Sequence, residues 1–363
     1  MSATAAFGRV AGRWSERFFA IDLRSIAAFR VMLAVAILMR LAGVVGDIDA
    51  FYTDDGLMPR SVQLEYGAPT ATSLYFVNGT RGFAVALFVL QAAAALFLLA
   101  GFRSRAAAFV SWLLFLSLVN RNPIIGTGGD SLLTLLLFWA MFLPIGGAFS
   151  LDALLGKPDA PVTHTSVASA GLLLQTVYVY VFGALQKTGA EWTSLHSAVY
   201  AAMHYESIAT HLAHWFRQFP RVMELQTAFV WWIELLTPVL LFSPIRTALL
   251  RMLTLPLLIV MHICFRLFLD IGIFWVVSIA SLTVFIPSEF WNALARVYWT
   301  DAQRRIKIYY DKDCAFCRKS SLLLRMLFLP PEIEVVPAQV HPEIGPLLER
   351  EQSWVVVDAS GRR

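Results

Sequence analysis

Tyr178-Val-Tyr-Val-Phe-Gly-Ala-Leu-Gln-Lys-Thr-Gly-Ala-Glu-Trp192 decides how this chain is read. It completes an apolar run, Val167–Leu185, long enough to cross the hydrocarbon of a bilayer as a helix. Lys187, Glu191 and Trp192 follow at once. A lysine stem at the end of an apolar helix can hold its amine in a low-dielectric site. Desolvation there disfavours the ammonium and leaves a usable base. The competing reading is a lysine that snorkels to the headgroups beside an interfacial tryptophan.

The whole chain has the same character. Of 363 residues, 58% are hydrophobic and 15% charged, too apolar for a soluble protein of this length. The formal charge of +4 suits basic loops against an anionic leaflet, and no nucleic-acid partner is expected. Three cysteines do not make a disulfide framework. Cys264 lies in an apolar run, and Cys314 and Cys317 form a C-x-x-C.

Outward from the opening stretch, hydropathy predicts eight spans: Ile26–Val45, Gly82–Gly101, Ala106–Leu118, Ser131–Gly147, Val167–Leu185, Thr227–Phe242, Thr247–Phe265 and Asp270–Ile286. The expected fold class is an all-α polytopic membrane bundle of about eight transmembrane helices. A small partial α/β thioredoxin-like segment follows at the C-terminus. Residues 1–25 form a basic N-terminal segment, 26–295 the membrane domain and 304–363 the C-terminal segment. The basic segment reads either as an amphipathic surface helix or as a plain flank.

Lys and Arg near the spans are more numerous on the side of the termini, which predicts cytoplasmic termini in the cell's inner (plasma) membrane. Arg30 and Arg40 fall inside the first span, and each needs a carboxylate, a carbonyl or a water cavity; Arg30 can snorkel. This topology puts Lys187, Arg121, Asn122, Asp130, His262 and Asp270 in the outer half of the membrane. Convergence of so many polar groups at one depth predicts a shared cavity. Asp130 also stands where it can cap a helix, and Glu234 is buried in the sixth span. His196, His204, His211 and His214 share one face if residues 194–219 are a single helix. No His-Glu-x-x-His pattern accompanies them, and no metal is expected.

In the tail, a strand over Arg304–Tyr310 runs into Asp311-Lys-Asp-Cys-Ala-Phe-Cys317 and a helix over Lys319–Leu329. Such a helix N-terminus stabilises a thiolate at Cys314, and Cys317 would resolve a mixed disulfide with a thiol protein partner. Glu332–Pro337 and Ser353–Asp358 are predicted as further strands, too few for a complete thioredoxin-like sheet.

Two family resemblances follow. Tyr310–Lys319 resembles the start of the DCC family of thiol-disulfide oxidoreductases. The spans resemble the HTTM family, the membrane domain shared with vitamin K-dependent gamma-carboxylase. That likeness rests on Phe51-Tyr-Thr-Asp-Asp-Gly56, Arg121-Asn-Pro through Gly128-Gly-Asp130, Gln186-Lys-Thr-Gly-Ala-Glu-Trp192, Ser197-Ala-Val-Tyr200, and His262 through Ile271-Gly-Ile-Phe274. The resemblance implies that Lys187 matches the base that deprotonates reduced vitamin K, and that the hairpin from His262 lines the same region. What carries over is a quinol-like or lipid-like ligand (menaquinone or vitamin K-like) in the outer-half cavity, and the residues expected to bind it are Arg121, Asn122, Asp130, Glu191, Trp192, His262 and Asp270.

The large extracytoplasmic domain of the carboxylase has no counterpart in this sequence, so glutamate carboxylation is not carried over. The expectation is a membrane oxidoreductase or carboxylase-like (epoxidase-type) enzyme, with Lys187, Cys314 and Cys317 as catalytic residues. The alternative is a non-enzymatic lipid-binding or immunity-like membrane module with a redox-sensing tail.

Overall fold

The computed structural model describes residues 16–155, 162–329, 333–351 and 354–362. Most of the basic N-terminal segment, including Arg9 and Arg13, lies outside the described residues, as do Lys157 and Glu332. Two compact units emerge. The first takes in the described residues of Met1–Ala148 and Pro161–Pro287; the second takes in those of Phe149–Ala160 and Ser288–Arg363.

The long helices of the first unit are α1 (Leu23–Val44), α2 (Arg81–Ala100), α3 (Ser104–Arg121), α4 (Gly128–Ala140), α5 (Val167–Gln186), α6 (Pro220–Leu241), α7 (Thr247–Phe268) and α8 (Phe274–Leu282). Each of the eight expected apolar segments therefore holds a helix, though residues 141–147 and 270–273 lie outside one. Among the described residues, however, four segments are long and apolar enough to cross a membrane: Leu23–Tyr52, Arg81–Ala100, Val167–Gln186 and Thr247–Phe268. A fifth is counted if Phe274–Phe285 and Ser288–Tyr298 form one span. The expectation of eight is not met by this measure, for a physical reason. α4 is too short at 13 residues, α3 has only 18 residues with Arg105, Asn120 and Arg121 among them, and α6 carries Arg221, Glu224 and Glu234.

α8 organises the unit. It packs against α1, α4, α5 and α7. Val276, Val277, Ala280 and Leu282 are all buried, as expected for a helix apolar on every side. Small residues let the other helices approach closely: Ala34, Ala36, Ala95 and Ala108 are fully buried. At Gly129 the backbones themselves come close: a Cβ there would lie 2.7 Å from the Phe274 backbone nitrogen.

Arg30 does not snorkel. It is 1% exposed and donates to the Ile145 and Ala148 carbonyls at 3.0 and 3.3 Å. The single helix supposed over residues 194–219 is broken into Ala198–Met203 and His211–Phe216. Between them the chain pairs Ala209 with Leu269, so the histidines do not share one helical face.

The second unit carries α9 (Ser288–Tyr298), β1 (Lys307–Tyr310), α10 (Ala315–Phe328), β2 (Glu334–Pro337) and β3 (Val355–Val357). β1 is central, parallel to β2 and antiparallel to β3. Tyr309, Ala338, Ile344, Leu348 and Val355 form its core. The strand before the C-x-x-C starts three residues later than predicted, because Asp301–Arg304 forms a helical turn capped by Thr300.

Candidate functional site

Helix α5 ends where the sequence suggests, with Lys187 as its C-cap residue. Tyr180, Gly183 and Lys187 lie on one face of this helix and its cap, at the i, i+3, i+7 spacing. All three line a cavity of about 560 Å³ bounded by α5, α6 and α7. The wall is mostly apolar, with Phe229, Val230, Leu257 and Phe265 among its residues.

The Lys187 amine is paired with the Glu234 carboxylate of α6, and the two side chains are only 17% and 9% exposed. The amine also sits over the Trp192 ring, 4.8 Å from its centroid, a cation–π contact. Gly183 makes room for the carboxylate, since a Cβ there would lie 3.3 Å from Glu234 Oε2. On the same cavity wall the Tyr180 hydroxyl and His262 Nε2 are hydrogen-bonded at 3.0 Å, and both residues are buried. His262 Nδ1 and Gln226 Oε1 are buried without a hydrogen-bond partner among the described residues. Cys264, a free cysteine, also lines the cavity.

Lys187, Trp192 and His262 are thus brought together. The other expected residues are not. Arg121 is fully buried and donates to the Met58 and Thr53 carbonyls, both at 2.8 Å. Asn122 accepts from Ile124 N–H and donates to the Phe51 carbonyl at 3.3 Å. Asp130 belongs to a capping box with Thr127 at the start of α4 and accepts from Arg40 Nε at 2.7 Å. These residues hold the loops around α3 and α4 rather than line the cavity. Glu191 is exposed. Asp270 is exposed too, 4.0 Å from Arg266, and its backbone N–H donates to the Ile208 carbonyl at 2.6 Å.

Glu234 and Tyr180 were not expected as site residues, although each left a signal. An acid inside an apolar helix calls for a cation. Tyr180 stands two helical turns before Lys187.

In the second unit, Cys314 and Cys317 are joined as a disulfide with Cα atoms 5.2 Å apart. The Cys314 sulfur accepts from the Cys317 N–H at 3.1 Å and caps α10. Gln339 braces the approach. It donates to Asp311 Oδ1 at 2.7 Å and accepts from Lys312 N–H at 3.1 Å.

Several long apolar helices define a multi-pass α-helical membrane protein, with a half-buried ion pair in its cavity wall. The HTTM domain model matches residues 18–291, and the chain belongs to the HTTM family. The match ends before the C-x-x-C, which no family model covers. No curated protein and no solved structure gives a significant match.

Proposed function

We propose that the cavity binds a quinol or a similarly lipid-like molecule and that Lys187 takes a proton from it. The Lys187–Glu234 pair in an otherwise apolar wall carries this reading. A quinol fits the residues present: it is mostly hydrocarbon and offers hydroxyl or carbonyl oxygens. Among the wall residues, Gln226 Oε1 is a buried acceptor that a quinol hydroxyl could donate to, and His262 Nδ1 is a buried ring nitrogen that a hydroxyl could also satisfy. When bound, a quinol supplies an acidic ring hydroxyl and reducing equivalents.

The chain's own part is proton handling. An ammonium and a carboxylate in contact can exchange their proton, and with that proton on Glu234 the Lys187 amine is a neutral base. Trp192 limits where the amine can swing. The Tyr180–His262 hydrogen bond fixes the imidazole ring. Neither Arg121 nor Asp130 is given a role in this step, because their partners lie elsewhere.

The tail fits a second activity, thiol–disulfide exchange of a DCC-like kind with a thiol protein. The Cys314–Cys317 disulfide at the start of α10 supports it, since a helix N-terminus stabilises the thiolate released on attack. The proposed setting is the inner (plasma) membrane, with both termini cytoplasmic.

Native mass spectrometry with lipid extraction, comparing the wild type with Lys187→Ala, tests the cavity. A co-purifying quinone lost in the variant is the expected result. Only bulk phospholipid in both proteins would overturn the proposal and favour a lipid-binding module without chemistry.

A further inference from the structure

Helix α9 has a property that neither the cavity nor the disulfide uses. At 100° per residue, Val297, Phe290, Leu294 and Tyr298 fall within about 100° of arc. Ser288, Glu289, Asn292 and Arg296 fall on the other side. In a soluble domain the apolar face would be turned inward. Here Phe290 and Leu294 are 41% and 39% exposed, and Val297 and Tyr298 are 85% and 73% exposed. No residue of α9 is buried.

What covers this face is indicated by what adjoins it. Only Ile286 and Pro287 separate α9 from the apolar run Phe274–Phe285, and two residues reach about 7 Å at most. A helix joined so tightly to an apolar segment starts near the boundary of the bilayer. Two of its aromatic residues, Trp291 and Tyr298, are of the amphipathic kind that settles at headgroup depth. Arg296 and Arg305 are exposed nearby, and Arg304 donates to the Ala295 carbonyl at 2.9 Å. Against these three arginines the stretch 288–305 carries two acids, Glu289 and Asp301, leaving a small positive excess toward anionic headgroups.

We infer that α9 lies in the surface of an anionic bilayer, apolar face down, and holds the C-x-x-C sheet at the membrane. Arg304 couples the two, because it sits in the turn before β1 and bonds the α9 backbone. The disulfide would then meet partners at the membrane surface. This inference is independent of the ligand in the Lys187 cavity.

The test uses the full chain in nanodiscs of phosphatidylcholine and phosphatidylglycerol. A photo-crosslinking benzoylphenylalanine replaces Val297 in one variant and Asn292 in another. The expected result is a lipid adduct from position 297 and its loss at position 292. Absence of lipid adducts at 297 would overturn the inference, as would cross-links from 297 to protein alone. Equal lipid adducts at both positions would overturn it too, since they would mean a helix embedded on all sides.

Discussion

Separating Lys187 from Glu234 tests the core of the cavity. Two unit charges about 4 Å apart attract by about 4 kcal/mol at an effective dielectric of 20. Desolvation cancels much of this, so the pair as a whole adds little stability. Removing one partner is different, because the other charge stays in the wall. The penalty for a fully buried pair is about 3–5 kcal/mol. Here it is smaller, since Lys187 keeps 17% exposure and Glu234 can take up a proton. We expect about 2 kcal/mol for Lys187→Met and about the same for Glu234→Gln. The double variant, which leaves no charge, should lose only about 1 kcal/mol, giving a coupling of about 3 kcal/mol. Thermal unfolding in lipid nanodiscs reads this out, each single variant melting about 4–8 °C below the wild type and the double variant recovering about half of that shift. Additive losses, within about 0.5 kcal/mol, would refute the pairing. Lys187 would then be held by solvent and headgroups.

Gly129→Ala pushes a Cβ against Phe274 backbone atoms at 2.7 and 2.8 Å and should cost about 1–3 kcal/mol. The control Gly82→Ala, with nothing within 4 Å, should leave the melting temperature unchanged or raise it, and equal melting of the two would disprove the close approach of α4 and α8. Arg40→Lys keeps the charge beside Asp130 but cannot also serve the Ile125 carbonyl at 3.2 Å; a loss of about 1 kcal/mol is expected in the same assay. The Asp54 carboxyl is held below the usual carboxylate range, chiefly by its hydrogen bond from Arg60. Such a group stabilises fully above the ordinary carboxylate pKa and loses that contribution as pH falls through its lowered value. Proteolysis of the Asp54–Arg60 loop should therefore rise at acid pH in the wild type, while Asp54→Asn should show no acid-dependent rise. Cys314→Ser should abolish trapped mixed disulfides with cellular thiols, and their persistence would rule out Cys314 as the attacked sulfur.

Much of the helical framework is legible because apolar runs and end signals are local. Val167–Leu185 was expected and Val167–Gln186 is found, with Ser166 closing a capping box at its start. Gly82–Gly101 was expected and Arg81–Ala100 is found, with Gly101 in the left-handed region at φ 67° as the cap. The number of spans was less legible. Length and charge per helix depend on which residues the bundle shelters, and α8 needs few residues because its neighbours cover it. In the tail, the order strand, C-x-x-C, helix, strand was readable, but the parallel pairing of β1 with β2 was not.

Of the polar residues the sequence groups by depth, only some lie together around the cavity, and the reason lies in the kind of coordinate a sequence supplies. Hydropathy gives each polar residue a depth in the membrane and no direction around the bundle. Arg121, Asn122 and Asp130 share a depth with Lys187 by that reckoning, yet they stand at loops bordering α3 and α4, among backbone carbonyls and Arg40. Direction comes from helical phase, and phase was available. Tyr180 and Gly183 are in phase with Lys187 along α5, and Glu234 is the acid buried in the next expected span. An unpaired acid and an unpaired lysine in consecutive apolar segments each cost more alone than together. Helical phase and charge pairing together join Lys187 to Glu234, while Asp130 is met by Arg40 from the first span.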